Sequence, residues 1–438
     1  MVKVITYGTY DLLHFGHINL LKRAKALGDY LIVGVTADGF DKIRGKINVQ
    51  QSLMERIEAV KATGIPDEII IEEYEGQKID DICRMDVDIF TVGSDWEGKF
   101  DYLNEYCKVV YLPRTEGISS SELRSEENYI KMGLIGDSAF LNKVEHESNY
   151  INGIAVTGIC SSDMELLSDN IKRLPVFSSN EELFNSVDAV YIKSNPKSHF
   201  EIAKSALEAG KHVLCESPLA LGAKEWNELV DIAENKNLVL MDGIKTAYST
   251  AFSRLCLLIK SGRIGRVACV EATCTSLRKN DAEWDAMYEW GPTALLPVFR
   301  ILGTNYEMKT VCTHFSDKNK EHDAFTKIDF KYQNAVASVK IGNGVKSEGE
   351  LIVSGTMGYL YVPSPWWKTD YFEIRYEDQE NNKRYYYKLD GEGIRYELLC
   401  FLQAINKKAS QHYVTRDISK AITNEIGSFY RKENVLEI

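Results

Sequence analysis

Short apolar runs alternate with helix-length stretches, and this alternation starts twice along the chain. The first series opens with Val2–Tyr7, turns, and continues as a helical pattern from Ile18 to Leu27 with Gly28 as its stop. Leu31–Thr36, Glu68–Ile71, Asp88–Val92 and Val109–Leu112 follow as strand-like runs with helical segments between them. Such alternation predicts a parallel sheet covered by helices on both faces, an α/β doubly wound fold. The series ends near Arg124, and a polar join, Ser125–Tyr129, separates it from the next.

The second series places buried strands at Met132–Ile135, Ile154–Ile159, Ala189–Lys193, Val213–Cys215 and Val239–Met241. Ser198 stands where it would cap a helix ending at Gly210, just before the strand at Val213. From Arg266 the texture changes. Val267–Thr275, Phe325–Tyr332, Ala335–Ile341, Glu350–Val353, Phe372–Tyr376 and Arg384–Leu389 alternate as an antiparallel sheet would. Helical stretches at Tyr396–Ile405 and Ile418–Tyr430 follow. At 438 residues the chain exceeds one ordinary core. The expected organisation is a doubly wound domain over 1–125, a Rossmann-like domain over 130–250, and an α+β domain over 251–438 built on an antiparallel sheet.

Charge and cysteine usage narrow the function classes. The net charge is −12 with no basic tract, so nucleic acid is not an expected partner, and a phosphate-rich substrate must be held by a local cluster of donors. No apolar run is long enough to span a bilayer, and Met1 leads straight into a strand-like run instead of a signal peptide, so a cytoplasmic protein without a membrane partner is expected. Nine cysteines without C-x-x-C spacing read as reduced thiols, not disulfides or a zinc site. No side-chain metal site is assigned.

Chemistry concentrates in Gly8-Thr9-Tyr10-Asp11-Leu12-Leu13-His14-Phe15-Gly16-His17, between a strand and the start of a helix. Gly16 permits close approach of backbone to ligand. His17 lies at the helix N-terminus, where unpaired N–H groups and the dipole favour anions. Imidazoles placed there stabilise charge developing on a reacting phosphate. A lone H-x-G-H is as readily an ordinary turn, so the motif needs its companions.

The companions are Val4–Thr9, Gly93–Asp101 and Arg114-Thr115-Glu116-Gly117-Ile118-Ser119-Ser120-Ser121. Together with His14 to His17 they resemble the glycerol-3-phosphate cytidylyltransferase family, in order and spacing, over nearly all of residues 1–125. The resemblance implies a doubly wound nucleotide-binding fold and a homodimer or higher homo-oligomer. It implies attack of a phosphorylated polyol or sugar on the α-phosphorus of CTP, with Mg2+ present and pyrophosphate leaving. His14 and His17 match the family's phosphate-binding histidines, and Lys46 a basic residue on a loop that reaches the phosphates. Thr9, Tyr10, Asp11, Gly16 and Asp95 fall in segments that match the nucleotide pocket. Arg114, Thr115, Ser119 and Ser120 match the final phosphate-binding motif, in which Arg114 can grip oxygens bidentately. Departures occur at Arg44, Ser94 and Glu73-Tyr74-Glu75-Gly76, where lysine, aspartate and a tryptophan-bearing segment are common. They bear on the acceptor more than on CTP.

A second resemblance covers residues 130 to 438. Asp188–Ile192, Ser194-Asn195-Pro196 with His199, Ala206–Leu221 and Ser261–Val267 resemble the glucose–fructose oxidoreductase and inositol dehydrogenase type family. That family implies NAD(P) as cofactor. Here the chemistry-bearing positions are eroded. Gly133-Leu134-Ile135-Gly136-Asp137-Ser138 has Ser138 at the second glycine position, and Asp137 puts negative charge where a phosphate would lie. The acidic residue expected after the second strand is absent from Val156–Ser161. Ser217 replaces the usual lysine in Glu216-Ser217-Pro218, and the Asp and His of a later helix are absent from Gly291–Arg300. His199, Glu216 and Lys245 are the candidate pocket residues of this half; Lys245 reads as well as an ion-paired lysine, and His199 as a packed, hydrogen-bonded one. Trp284, Trp290, Trp366 and Trp367 read as packing groups.

These observations favour a cytidylyltransferase whose second half is a degenerate oxidoreductase used for oligomerisation or for binding substrate or product. The competing reading is a bifunctional enzyme that also reduces a ketose phosphate or CDP-ketose with NAD(P)H. A purely binding or regulatory chain is disfavoured by His14, His17, Lys46 and Arg114 being present together. The acceptor is open among glycerol, ribitol and ketose or alditol phosphates; by resemblance alone, a surface-polysaccharide pathway is the expected destination of the product.

Overall fold

The structure is a computed structural model that describes residues 1–13, 15–37, 49, 51–74, 76–113, 129–151, 153–277, 285–317, 319, 322–368, 370–387, 389–406 and 413–438. The chain forms two compact units, Met1–Asn128 and Tyr129–Ile438.

In the first unit, strands β1 (Lys3–Gly8), β2 (Tyr30–Thr36), β3 (Glu68–Glu72), β4 (Ile89–Gly93) and β5 (Lys108–Leu112) make a five-stranded sheet of order β3-β2-β1-β4-β5. Each neighbouring pair is parallel. Helices α1 (Phe15–Lys25), α2 (Leu53–Ala62) and α3 (Gln77–Met85) lie between strands in sequence. The sheet is buried on both faces. Val4, Leu31, Val33 and Val35 enter one apolar cluster, and Ile5, Ile32 and Phe90 another. This is why its strands read as continuous apolar runs. Ser52 and Glu55 form a reciprocal capping box that fixes the start of α2.

The second unit starts with β6 (Ile130–Ile135), β7 (Ile154–Cys160), β8 (Ala189–Ile192), β9 (His212–Glu216) and β10 (Leu240–Gly243), in the order β10-β9-β8-β6-β7. These are also all parallel. Helix α4 (Leu141–Ser148) follows β6, α5 (Pro196–Glu208) follows β8 and α6 (Ala223–Asn235) follows β9. The N-cap of α5 is Asn195, whose side chain accepts from the Lys197 amide, with Pro196 as the first helical residue. This corrects the expected cap at Ser198, which lies inside the helix; proline at the first position sets the start earlier.

A nine-stranded sheet follows, in the order β18-β17-β16-β15-β11-β14-β13-β12-β19. Its strands are β11 (Val267–Ser276), β12 (Met308–Phe315), β13 (Asp323–Lys331), β14 (Val336–Asn343), β15 (Leu351–Gly355), β16 (Tyr359–Val362), β17 (Tyr371–Arg375), β18 (Lys383–Tyr386) and β19 (Val435–Glu437). It is mostly antiparallel. Two pairs depart from that expectation: β11 with β14 and β12 with β19 run parallel. Strands β12, β16 and β19 were not expected from sequence. One edge strand, β18, opposes Lys383 and Arg384 to Ile374 and Glu373 of β17.

Helix α7 (Lys245–Tyr248) and α8 (Thr250–Lys260) lead into this sheet; α9 (Ala286–Leu302) packs on it, and α10 (Ile394–Ile405) and α11 (Arg416–Tyr430) come late in the chain. One apolar cluster runs from Met132 and Leu134 of β6 through α9 to Val339 and Ile341 of β14, so the two sheets of this unit share a core. No helix among the described residues is long and apolar enough to cross a membrane.

Candidate functional site

The order β3-β2-β1-β4-β5 places the reversal of strand order between β1 and β4, whose register pairs Val4 with Ile89 and Ile5 with Phe90. Ligands of doubly wound sheets bind at the carboxyl ends of the strands beside such a reversal. Residues from Thr9 follow β1 there, and Asp95 lies in the short turn Ser94–Trp96 just after β4.

Backbone strain marks the turn after β1. Tyr10 and Leu12 both have left-handed dihedrals, with φ of 52° and 45°, a conformation that L-residues adopt at a cost. Side chains hold the turn in place. Asp11 Oδ1 accepts from the Gln51 amide at 2.9 Å, and Gln51 Oε1 accepts from the Leu12 amide at 2.9 Å. Arg56, wholly buried, donates to the carbonyls of Thr9 at 2.7 Å, Thr36 at 2.8 Å and Gln51 at 3.2 Å. Gly16 and His17 occupy the first turn of α1, so His17 sits at the helix end whose dipole favours an anion.

Tyr10 corrects an expectation. Its ring is only 2% exposed and lies within the apolar cluster of Val4, Leu21 and Val33. It meets the His17 ring edge-on at 5.7 Å. It therefore packs behind the site and buttresses His17. Thr9 is also buried, and Asp11 half-buried. His14, Lys46, Arg114, Thr115, Ser119 and Ser120 lie outside the described residues, as do Arg44 and Trp284.

Sequence reasoning missed Arg56. The signal available was an arginine at a position of α2 four before Val60, on the apolar side of the helix. It also missed a buried polar layer beneath the site. Tyr7 donates to Asp81 at 2.9 Å, Gln77 donates to Asp81 at 3.0 Å and to the Ile71 carbonyl at 2.7 Å, and Lys78 pairs with Glu72. Burial and the Asp81 carboxylate push the Tyr7 phenol well above its ordinary value. Tyr74 is half-exposed and donates to Asp80 at 2.7 Å.

In the second unit, the order β10-β9-β8-β6-β7 puts the reversal between β6 and β8. Gly136 has φ of 132°, and a Cβ on it would fall 1.9 Å from the Lys193 carbonyl oxygen, so only glycine fits where the two strands end. The next residue, Asp137, accepts from Ser161 Oγ at 2.8 Å, the Ser162 amide at 2.6 Å, Ser162 Oγ at 2.7 Å and the Asp163 amide at 3.1 Å. Although burial opposes it, these donors hold the Asp137 carboxyl below its ordinary value.

His199 is buried, with Nδ1 2.8 Å from the Pro218 carbonyl and Nε2 3.0 Å from that of Ser194. Burial lowers its pKa. Glu216 accepts from Tyr191 and lies 3.5 Å from Lys193 Nζ. Lys245 donates to Glu392 at 2.5 Å, and burial lowers its pKa despite that partner. Two further acids lie deep. Asp242 accepts from Ser419 at 2.6 Å, and burial raises it to about 7. Glu397 is fully buried, neither oxygen has a hydrogen-bond partner among the described residues, and burial raises it strongly, with Glu216 adding to the effect. No group of three or more His, Cys, Asp or Glu able to hold a metal occurs among the described residues.

A strained strand–turn–helix at the reversal of a parallel sheet, with an imidazole in the first helical turn, defines a nucleotidyltransferase-type α/β unit, here joined to an oxidoreductase frame. The chain belongs to the cytidylyltransferase-like family, which residues 5–126 match. Over 126 residues it is 49% identical to a glycerol-3-phosphate cytidylyltransferase of Bacillus spizizenii, covering 29% of this chain and 97% of that one. Over 130 residues it is 48% identical to a protein of the same name from Staphylococcus aureus, covering 29% and 95%. Residues 130–244 match the family described as oxidoreductase, NAD-binding Rossmann fold. In fold, the chain resembles KijD10, a 3-ketoreductase from Actinomadura kijaniata solved with NADP and TDP-benzene, with a TM-score of 0.63 at 18% identity, over 71% of this chain and 99% of that one. The chain is thus a nucleotidyltransferase with an oxidoreductase-type second unit.

Proposed function

We propose that the first unit transfers CMP from CTP to a small polyol or sugar phosphate, with glycerol 3-phosphate the leading acceptor, giving a CDP-linked product and pyrophosphate. An oxygen of the acceptor phosphate forms the new bond to the α-phosphorus as the bond to the leaving pyrophosphate breaks. No group stays on the enzyme, so catalysis is positioning and charge stabilisation. His14 and His17 would stabilise the reacting phosphates, Lys46 and Arg114 the pyrophosphate, and Thr9, Asp11, Gly16, Asp95, Thr115, Ser119 and Ser120 the nucleotide. The carrying observation is His17 in the first turn of α1 at the reversal between β1 and β4.

Mg2+ binds mainly through substrate phosphates and a carboxylate or two. Asp11 and Asp95 suit that habit better than a preformed cage, so the ion would arrive with the nucleotide. The working organisation is three domains, 1–125, 130–250 and 251–438, in a cytoplasmic homo-oligomer.

For the second unit we favour a binding role over redox chemistry. Asp137 takes the donors of the Ser161–Asp163 loop and keeps its charge near where a dinucleotide pyrophosphate would lie. NAD(P) therefore fits this arrangement poorly, and no step is routed through it. The alternative, reduction of a ketose phosphate or CDP-ketose, draws on the match of 130–244 to NAD-binding oxidoreductases and on the grouping of Tyr191, Lys193 and Glu216.

One experiment addresses both readings. The full chain is incubated with CTP, Mg2+ and a panel of polyol and sugar phosphates, with and without NADH or NADPH, while pyrophosphate release and nicotinamide absorbance are followed. Release with at least one acceptor is expected; none with any acceptor overturns the transferase reading. Acceptor-dependent loss of absorbance would replace the binding role with the bifunctional one.

A further inference from the structure

Four lysines of the second unit gather near the carboxyl ends of its parallel strands. Lys193 follows β8, Lys245 begins α7 after β10, Lys143 lies on α4, and Lys368 belongs to the turn Trp366–Lys368. The Lys193 and Lys245 ammoniums lie over the Phe140 ring, 5.4 and 5.2 Å from its centre. Lys143 and Lys368 each approach Glu392 Oε1 at 2.9 Å, while Lys245 approaches Oε2 at 2.5 Å. One carboxylate thus faces three ammoniums. With Glu216 and Glu392 counted, the four lysines keep two positive charges in excess; Glu147, at the neighbouring cleft, is paired with Arg395, and Glu145 there offsets one of the two.

The segment that delivers Glu392 is unusual. Gly391, Glu392 and Gly393 all have left-handed backbone, with φ of 60°, 53° and 93°. A Cβ at Gly391 would fall 2.1 Å from Glu147 Oε2, and one at Gly393 2.3 Å from the Lys245 carbonyl oxygen. Two glycines therefore press a strap against α4 and α7, and the residue between them takes a left-handed conformation that is unfavourable for an L-residue. On the Lys143 side, an open cleft of about 410 Å³ is lined by Lys143, His146, Glu147, Ser168, Gly391 and Glu392 among others, a size that suits a sugar- or nucleotide-sized ligand.

We propose that this lysine cluster is a phosphate or diphosphate site, and that Glu392 is a tethered anion occupying it until a ligand displaces it. The chemistry is oxyanion exchange: one carboxylate leaves three ammoniums as phosphoryl oxygens take its place, with no covalent change. Withdrawal of the strap relaxes the left-handed backbone at Glu392. A diphosphate supplies more oxygens and more charge than the carboxylate it replaces, which favours the exchange. The choice of diphosphate rests on the transferase reading of the first unit; the existence of an oxyanion site does not.

The test is calorimetric titration of the full chain with pyrophosphate and, separately, with CDP and NADP+. Glu392→Gln removes the competing charge and should tighten one binding event about tenfold or more, because the site no longer spends its time self-occupied. Lys143→Gln with Lys368→Gln, both at partly exposed positions, should abolish that event and leave pyrophosphate release by the first unit unchanged. Identical stoichiometry and affinity in wild type and the lysine double variant overturns the proposal, whether or not Glu392→Gln folds. Tightening with pyrophosphate and CDP but not NADP+ identifies a product-type diphosphate; tightening with NADP+ alone assigns the oxyanions to a dinucleotide. Loss of transferase activity in wild type with the lysine-dependent event retained would sink the first-unit reading and leave the oxyanion site standing.

Discussion

Arg56 reaches from α2 to the carbonyl of Thr9 at 2.7 Å, and so ties a helix of the first unit to the strained turn that precedes His17. The same guanidinium holds the carbonyl of Thr36 at the end of β2. Arg56→Met should leave these buried acceptors unpaired, destabilising the first unit by about 2–4 kcal/mol. Pyrophosphate release should fall further than the loss of folded protein explains. Arg56→Lys should recover part of both, since a point charge replaces a planar fork. Thermal unfolding and turnover, measured side by side, check this; a folded Arg56→Met with wild-type turnover would show that the anchoring does not position the turn.

His17→Ala tests the imidazole directly. By analogy with removal of one oxyanion donor, turnover should drop about 100- to 1,000-fold with little change in melting temperature. The comparison must be made at saturating CTP, so that a binding defect is not mistaken for a catalytic one. His17 borders Tyr10, so a Tyr10→Phe control, which keeps the ring contact, should stay near wild type.

Asp242 carries a pH signature. Burial raises its folded-state value to about 7, against an ordinary value of 3.8. The folded state therefore holds a proton that the unfolded chain has released, and stability falls as pH rises through that interval. Burial favours the neutral form and Glu216 adds to it, outweighing the Ser419 hydrogen bond, which favours the charged one. Relative to wild type, Asp242→Asn should remove a downward slope of at most about 1.4 kcal/mol per pH unit between pH 4 and 7. Denaturant unfolding of the second unit across this range measures the difference; parallel curves would mean that Asp242 titrates normally.

Gly136 offers a test confined to the second unit. A Cβ there would fall 1.9 Å from the Lys193 carbonyl oxygen. Gly136→Ala should lower the melting transition of that unit, by more than the roughly 1 kcal/mol ordinary for a glycine–alanine exchange. CTP-dependent pyrophosphate release should persist below that transition, because the first unit is separately compact. Proportional loss of both would reveal that the units depend on each other.

Both parallel sheets were legible because strands buried on both faces write themselves as unbroken apolar runs. Strand β12 was not: Met308–Phe315 has exposed, half-buried and buried positions without a clean alternation. Strand β19, three residues long, lies below what a periodic pattern can signal. The chemistry after β1 was legible through His17 and Asp11. Arg56 was hidden because its role is to serve backbone carbonyls, which leave no trace in side-chain spacing. Glu397 could have been found: it shares a helical stripe with Ile394, Leu398 and Phe401, all buried, and a lone acid on an apolar face is the kind of local conflict that marks a functional or strained position.

The nine-stranded sheet of the second unit does not close on itself, yet its β18 edge is poorly suited to recruit another chain. On β18 the four residues include Lys383 and Arg384, and Arg384 pairs with Glu373. Repulsion between like-charged borders and the short length of the ladder oppose lateral growth. Neutralising Lys383 and Arg384 together would thus expose a latent hazard, fibre-like self-association in concentrated solution, with no defect in nucleotidyl transfer by the first unit.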